Sequence, residues 1–240
     1  MLNTFSDGRI LKLTRIVLSI GGSVLVPDEK DVSYIVKLAE LLTKLSEKYK
    51  LFIVTGGGRI ARYYIETGRE LGVPEQQLDD LGIIATRMNA RLLGSTLREK
   101  ANHIPPETVE GTASLESKFQ IVIMGGTTPG WTTDFVAASL AKEVKADRLV
   151  NATSVDGVYS SDPRKNKKAK RYEKVTYEEL IRLSGETHTK AGPTTVFDPA
   201  ASKLMAAAKI PLFIVNGRDL KALSNSIEGK PFHGTRVEEG

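Results

Sequence analysis

The 240-residue sequence has no cysteine, a single tryptophan and only three histidines. Without cysteine, neither a disulfide framework nor a thiolate metal site can form. His103, His188 and His233 are far apart in the chain, so no metal-ligand spacing is present and we predict no protein-built metal site. The sequence also has no secretory signal pattern and no apolar run long enough to cross a membrane. We therefore expect a soluble, cytoplasmic protein without a membrane partner.

Common phosphate-binding and nucleophile motifs are absent as well. Gly125 and Gly130 have the spacing of a P-loop, but Trp131 stands where the P-loop lysine would be. Neither the Gly-x-Gly-x-x-Gly of dinucleotide-binding folds nor the Gly-x-Ser-x-Gly of serine hydrolases occurs. These absences argue against P-loop NTPases, dinucleotide-dependent dehydrogenases and serine hydrolases.

The formal net charge is +5, with a sequence pI near 9.2. Much of the positive excess lies in the segment 164–171, which follows the turn signal Asp162-Pro163 and contains no interleaved aromatic residues. We interpret this segment as a solvated loop and expect no nucleic-acid partner. A basic surface of this kind would still attract polyphosphate substrates.

Three glycine clusters, each directly after a short apolar run, dominate what is present. They are Gly21-Gly22, Gly56-Gly57-Gly58 and Gly125-Gly126, and a fourth apolar run leads into the polar turn 153–157. A helical pattern follows each run, so each turn should lie at the carboxyl end of a strand and open a helix. Unpaired backbone N–H groups at such turns bind anions. Several of them in one domain favour a site for more than one phosphorylated ligand.

Alternating strand and helix patterns predict an α/β fold with a mostly parallel sheet covered on both faces. We predict strands at about 15–20, 51–55, 120–124, 148–152 and 211–215, and helices at about 31–49, 59–71, 81–100, 133–145, 176–184, 198–208 and 219–227. Asp31 is the expected N-cap of the first long helix. A weak boundary between two parts of the domain is predicted near Ala146-Asp147.

Five segments occur in the order seen in the amino acid kinase superfamily, and together they resemble the archaeal uridylate (UMP) kinases. The segments are Gly21–Ser23, Val54–Arg62, Met124–Asp134, Thr153–Pro163 and Asp198–Lys203. The resemblance runs from about Arg15 to the end of the chain and leaves residues 1–14 outside as an N-terminal extension. We expect that extension to be dispensable for catalysis, because its composition is poor for a core element.

The resemblance implies a three-layer αβα sandwich that transfers the γ-phosphoryl group of ATP to UMP with Mg²⁺, in pyrimidine nucleotide biosynthesis. It divides residues 15–240 into an acceptor-binding part, about 15–146, and an ATP-binding part, about 147–240. It further suggests inhibition by UTP and a homohexamer.

The resemblance also assigns site residues. UMP would be bound by Gly57, Asp79, Thr127, Thr128, Pro129, Gly130, Trp131, Thr132 and Thr133. ATP would be bound by Gly22, Ser23, Gly58, Arg62, Thr153, Ser154, Tyr159 and Asp162. Asp79 aligns with a ribose-binding acid, whereas Asp80 is interpreted as a helix N-cap. The alternatives are tight-turn glycines, a surface ion pair for Arg62 and a packed aromatic for Tyr159.

One position departs from the superfamily. Most members carry a lysine two residues before the first glycine pair, and here that position is Ser19. Losing this cation would cost several kcal/mol of charge stabilisation unless another group supplies it. Lys190 and Lys203 are candidate substitutes, with Asp198 organising whichever acts. Asp134 would share that catalytic role or cap its helix.

Two other classes of function remain open from the sequence. A related kinase acting on isopentenyl phosphate, carbamate or acetylglutamate would share the ATP-binding half. The Ser19 departure also permits a non-catalytic nucleotide-binding or storage protein. The threonine-rich loop and Asp79 favour a nucleotide acceptor.

Overall fold

The computed structural model describes residues 13–27, 31–161, 163, 165–184 and 196–239. Within them, seven strands form one sheet: β1 Thr14–Ile20, β2 Tyr49–Thr55, β3 Ile121–Met124, β4 Arg148–Thr153, β5 Lys174–Thr176, β6 Leu212–Asn216 and β7 Thr235–Glu238. The α-helices are α1 Gly22–Leu25, α2 Val32–Leu45, α3 Gly58–Glu70, α4 Glu75–Thr96, α5 Val109–Ser114, α6 Thr133–Glu143, α7 Tyr177–Ser184, α8 Pro199–Ala208 and α9 Leu220–Glu228.

The strand order is β3-β2-β1-β4-β6-β7-β5, and every neighbouring pair is parallel except β6 with β7. Alternate residues of the central strands point into two cores on opposite faces. Val17 and Phe52 face a core shared with α5, α6, α7 and α8, whereas Ile16 and Leu18 face one shared with α2, α4 and α9. Since both faces are covered, the strands are continuously apolar. The predicted three-layer αβα sandwich with a mostly parallel sheet is confirmed.

The connectivity reverses between β1 and β4. From β1 the chain builds outward through β2 to β3, then returns to add β4 and β6 on the other side of β1. In open parallel sheets such a reversal leaves a crevice at the carboxyl ends of the two strands, where ligands bind. The predicted boundary at Ala146-Asp147 immediately precedes β4, but β1 and β4 pair directly, so one sheet crosses it.

Several local predictions need correction. The helix predicted from about residue 81 begins at Glu75, directly after Pro74, because proline suits the start of a helix. Asp79 and Asp80 therefore lie inside α4, and the N-cap interpretation of Asp80 is wrong. Asp31 does cap α2, since its carboxylate accepts the Tyr34 N–H at 3.0 Å. The short elements α1, α5, β5 and β7 were not predicted.

Candidate functional site

The candidate site lies at the carboxyl edge of the sheet, where the turns after β3, β2, β1 and β4 stand side by side. The first two glycine clusters touch each other. A Cβ built on Gly22 would lie 2.1 Å from the Gly58 nitrogen, and one on Gly56 would lie 2.7 Å from the Gly22 nitrogen. Gly58 also has a φ of +61°, which favours glycine. These glycines are thus required for backbone contact, whereas phosphate binding at Gly22, Gly57 and Gly58 stays a prediction.

Two buried polar residues of α4 hold these turns in place. The Asn89 side-chain amide donates to the carbonyls of Gly56 at 2.8 Å and Gly57 at 3.2 Å. The Thr86 hydroxyl accepts the Gly126 N–H at 2.6 Å. Neither residue was predicted from the sequence. The available signal was their polarity on the face of α4 that otherwise carries Ala85, Ala90 and Leu93 into the core.

A cleft of about 180 Å³ opens between α3, α4 and the loop that follows β3. Of the residues predicted to bind UMP, six line it: Asp79, Thr128, Pro129, Gly130, Trp131 and Thr133. Asp79 fastens the loop to α4, because its Oδ2 atom accepts the Gly130 N–H at 2.8 Å. Trp131 is 47% exposed and packs edge-on against Phe135, with the ring centroids 4.9 Å apart.

Two further threonines of this loop have different surroundings. The Thr132 hydroxyl caps α6 by accepting the Phe135 N–H at 3.1 Å, and it donates to Asp198 Oδ2 at 2.6 Å. The loop is therefore tied both to α4 and to the start of α8. The Thr127 hydroxyl oxygen is buried, and no described residue gives it a hydrogen-bond partner. An unsatisfied buried hydroxyl costs free energy, so a ligand that supplied a partner here would be favoured.

Asp134 and Ser19 meet where β1 approaches α6. The buried Ser19 hydroxyl donates to Asp134 Oδ1 at 3.0 Å. Burial raises the pKa of Asp134 to about 6; the Ser19 hydrogen bond opposes this rise, and the nearby charge of Asp198 adds to it. Thr132 rather than Asp134 caps α6, so the capping interpretation of Asp134 is wrong. A serine–carboxylate pair thus occupies the place where the superfamily pattern puts a lysine.

The remaining catalytic candidates are Asp198, Lys203 and Lys190. Asp198 is buried and caps α8, with its Oδ1 atom accepting the N–H groups of Ala200 at 2.7 Å and Ala201 at 3.0 Å. Lys203 lies on the exposed side of α8. Lys190 lies outside the described residues. Asp198 lies beside Asp134: the charge of Asp198 raises the pKa of Asp134, whereas a hydrogen bond from the Asp198 backbone N–H to the Asp134 carboxylate lowers it.

The turn after β4 forms the other half of the edge. The Gly21 N–H donates to the Ala152 carbonyl at 2.9 Å, which joins this strand end to the first glycine turn. Asp156 accepts a hydrogen bond from the Asn216 amide at 3.0 Å, and the Tyr159 hydroxyl lies 3.5 Å from its other oxygen. Burial, and then Asp156, raise the pKa of Tyr159. Thr153 and Ser154 belong to the same turn, whereas Asp162 lies outside the described residues.

Arg62 lies one turn into α3 and is exposed. No described residue forms an ion pair with Arg62. Among the described residues, the structure therefore gives no support to the alternative of a surface ion pair. The described residues likewise contain no group of three or more histidine, aspartate or glutamate side chains able to hold a metal ion. None of the helices described is long and apolar enough to span a membrane.

The amino acid kinase family model matches residues 14–216. The chain therefore belongs to the amino acid kinase family. Within it, the curated relatives include the uridylate kinase of Thermoplasma volcanium, 48% identical over 93% of this chain and 97% of that protein. The uridylate kinase of Pyrococcus abyssi is 45% identical over 93% of this chain and 99% of its own length. The resemblance to archaeal uridylate kinases is thus confirmed.

A solved structure agrees with these relatives. The crystal structure of uridylate kinase from Archaeoglobus fulgidus superposes with a TM-score of 0.82 at 36% identity, covering 92% of this chain and 99% of that one. The fold and the family assignment therefore rest on independent comparisons of sequence and of structure.

Proposed function

We propose that this protein is a UMP kinase, which transfers the γ-phosphoryl group of ATP to a phosphate oxygen of UMP and releases UDP and ADP. The family and its relatives support the reaction class. The observation that carries the choice of acceptor is the cleft in which Asp79 on α4 faces the threonine-rich loop and binds the Gly130 N–H. A carboxylate can accept hydrogen bonds from a ribose, and hydroxyl and N–H groups suit a phosphate and a base edge.

UMP would thus lie on the β3 side of the point between β1 and β4 where the strand order reverses. ATP would lie on the other side of that point, against the turn after β4. In this proposal Thr153, Ser154 and Tyr159 contact its nucleoside, and Gly22, Ser23 and Gly58 contact its phosphates, as the family resemblance suggests. Support comes from the direct pairing of β1 with β4, because the two turns are then neighbours. Residues 15–146 would thus form the acceptor part and residues 147–240 the ATP part.

Phosphoryl transfer depends mainly on positioning and on neutralising charge. We propose Lys203 and Lys190 as sources of the positive charge that Ser19 lacks, with Asp198 organising them. Mg²⁺ would be held chiefly by the ATP phosphates and one or two carboxylates, which is its usual mode, and would neutralise phosphate charge. Asp134 fits as such a carboxylate, since it lies at the reversal, where its Oδ1 atom accepts the Ser19 hydroxyl.

We further propose a cytoplasmic homo-oligomer, a hexamer by family resemblance, that is inhibited by UTP. The outer surface of α3 and α4 supports self-association. It exposes large apolar side chains, namely Tyr63 at 63%, Tyr64 at 51%, Ile84 at 53%, Met88 at 55% and Leu92 at 46%. Large exposed apolar side chains grouped on two neighbouring helices favour an interface. Light scattering of the purified protein would give the stoichiometry.

The decisive experiment is an ADP-release assay with ATP, Mg²⁺ and a panel of acceptors. UMP should be used far better than CMP, AMP, isopentenyl phosphate, carbamate or acetylglutamate. Turnover of isopentenyl phosphate equal to that of UMP would assign the protein to a neighbouring kinase. ATP binding without turnover of any acceptor would indicate a nucleotide-binding or storage protein. This alternative arises because Ser19 stands where most of the superfamily carries a lysine.

A further inference from the structure

The positive charge of this protein is concentrated in one short segment. The chain has 34 lysines and arginines and 29 acidic residues, and residues 164–171 contribute six of these cations and no acid. The remainder, with 28 cations against 29 acids, carries a net charge of −1. The basic character of the whole protein is therefore a property of this segment alone.

The segment folds back along the chain that leaves β4. We call its described residues 165–171 the basic hairpin; residues 158–160 form the first arm of the pairing and residues 170–172 form the second. The Ser160 N–H donates to the Lys170 carbonyl at 2.9 Å, and the Lys170 N–H donates to the Ser160 hydroxyl at 3.0 Å. Tyr159 and Arg171 form an antiparallel bridge between the two arms. The basic hairpin is thus held at Ser160 by one backbone and one side-chain hydrogen bond, and at Tyr159 by the bridge to Arg171.

Four lysines of the basic hairpin, Lys165, Lys167, Lys168 and Lys170, are exposed, and no carboxylate among the described residues forms an ion pair with them. Arg171 differs, because its guanidinium donates to the Gly234 carbonyl and anchors the base of the basic hairpin. A group of like charges without counter-charges repels itself, so packing does not account for it. Fields of a single sign attract oppositely charged ligands over a distance.

The position of the basic hairpin places that field beside the proposed ATP site. Its first arm continues directly from the turn at Asp156 and Tyr159, where the Tyr159 hydroxyl lies 3.5 Å from the Asp156 carboxylate. Its second arm leads to Tyr172, whose carbonyl accepts the Thr235 hydroxyl at 2.5 Å, while the same hydroxyl accepts the Val158 N–H at 2.9 Å. Thr235 pairs with Ile214 of β6, which fixes the base near the carboxyl edge of the sheet.

We propose that the basic hairpin steers nucleoside triphosphates electrostatically. It would raise the rate at which they associate with the turn after β4, without contacting the reacting atoms. The location of the ATP site in this inference rests on the proposed function. ATP carries about four negative charges, more than UMP, so the long-range attraction acts mainly on the phosphoryl donor. Steering of this kind raises association rates by about 10- to 1,000-fold and weakens as salt shortens the screening distance.

The test compares two variants that remove the same amount of charge. In the first, Lys165, Lys167, Lys168 and Lys170 are all changed to glutamine. The matched control changes four exposed lysines that precede β2, β3 and β4, and so lie toward the opposite edge of the sheet: Lys44, Lys48, Lys118 and Lys145. Both variants lower the formal net charge from +5 to +1.

Stopped-flow binding of a fluorescent ATP analogue gives the association and dissociation rates at about 20 mM and about 500 mM salt. At the lower salt concentration, the basic-hairpin variant should associate about tenfold more slowly than wild type. At the higher salt concentration, its association rate should lie within about twofold of the wild-type rate. Its dissociation rate and its kcat with saturating ATP should be unchanged. The control variant should associate within about twofold of wild type at both salt concentrations.

Equal slowing in both variants would overturn the inference, because net charge rather than position would then be responsible. A faster dissociation rate in the basic-hairpin variant would also overturn it, since the lysines would then contact bound nucleotide. So would an unchanged ATP association rate together with lost binding of a labelled RNA oligonucleotide. These association rates can be measured without turnover, so the two proposals can fail separately. If the wild type did not phosphorylate UMP, but the basic-hairpin variant still lost the salt-dependent part of ATP association, only the proposed function would be refuted.

Discussion

Replacing Asp134 with asparagine tests whether the carboxylate that accepts the Ser19 hydroxyl is desolvated in the folded protein. Asparagine keeps the shape of the side chain and can still bond the Ser19 hydroxyl, but it carries no charge. In the folded protein, burial raises the pKa of Asp134 from 3.8 to about 6. The difference of about two pKa units corresponds to about 3 kcal/mol between the two protonation states.

The direction in which stability changes with pH follows from which state, folded or unfolded, binds the Asp134 proton more tightly. Because the folded-state pKa lies above the unfolded-state value, the folded protein binds this proton more tightly. The resulting stabilisation is fully present below about pH 4 and is lost as the pH rises through about 6. Between about pH 5 and about pH 7.5, this group alone should lower the free energy of unfolding of the wild type by about 1.4 kcal/mol. The asparagine variant lacks this loss.

Urea unfolding of both proteins at about pH 5 and about pH 7.5 measures the effect. The stability of Asp134→Asn relative to wild type should rise by about 1.4 kcal/mol from the lower to the higher pH, since all other groups cancel. Asp80→Asn, on the exposed surface of α4, is the control and should show no such change. A difference between Asp134→Asn and wild type that is the same at both pH values would refute the assignment of a desolvated, titrating carboxylate.

Four further substitutions test the turns and the proposed ligand contacts. Gly22→Ala should destabilise the protein by at least about 1–3 kcal/mol in thermal unfolding, because its Cβ would lie 2.1 Å from the Gly58 nitrogen. Asn89→Ala leaves two turn carbonyls without their amide donor and should cost about 1–3 kcal/mol in the same assay. Arg62→Ala should lower kcat/KM about 10- to 100-fold with Tm unchanged, whereas lost stability with unchanged kinetics would contradict a phosphate contact. Asp79→Ala should raise the KM for UMP and shrink the preference for UMP over dUMP, and a fully kept preference would mean that the ribose is read elsewhere.

The main strands and helices could be predicted from the sequence because local patterns determine them. Runs such as Ile16–Leu18 and Leu51–Val54 are continuously apolar, which is typical of strands covered on both faces. The helices between them repeat apolar residues with a period that needs no knowledge of distant partners. The short strands β5 and β7 were missed, since they are only 3 and 4 residues long and depend on pairing with each other and with β6.

The sequence by itself thus determined the layered fold, the glycine turns at the ends of strands and the family, because each is encoded in residues close together in the chain. Only the tertiary structure decided which residues from distant segments meet. It joined Ser19 to Asp134, separated by 115 positions, and Asp79 to Gly130, separated by 51. It also showed that Asn89 supports the glycine turn at Gly56. Such contacts follow from strand order and from the packing of α4 against the turns, which no local pattern specifies.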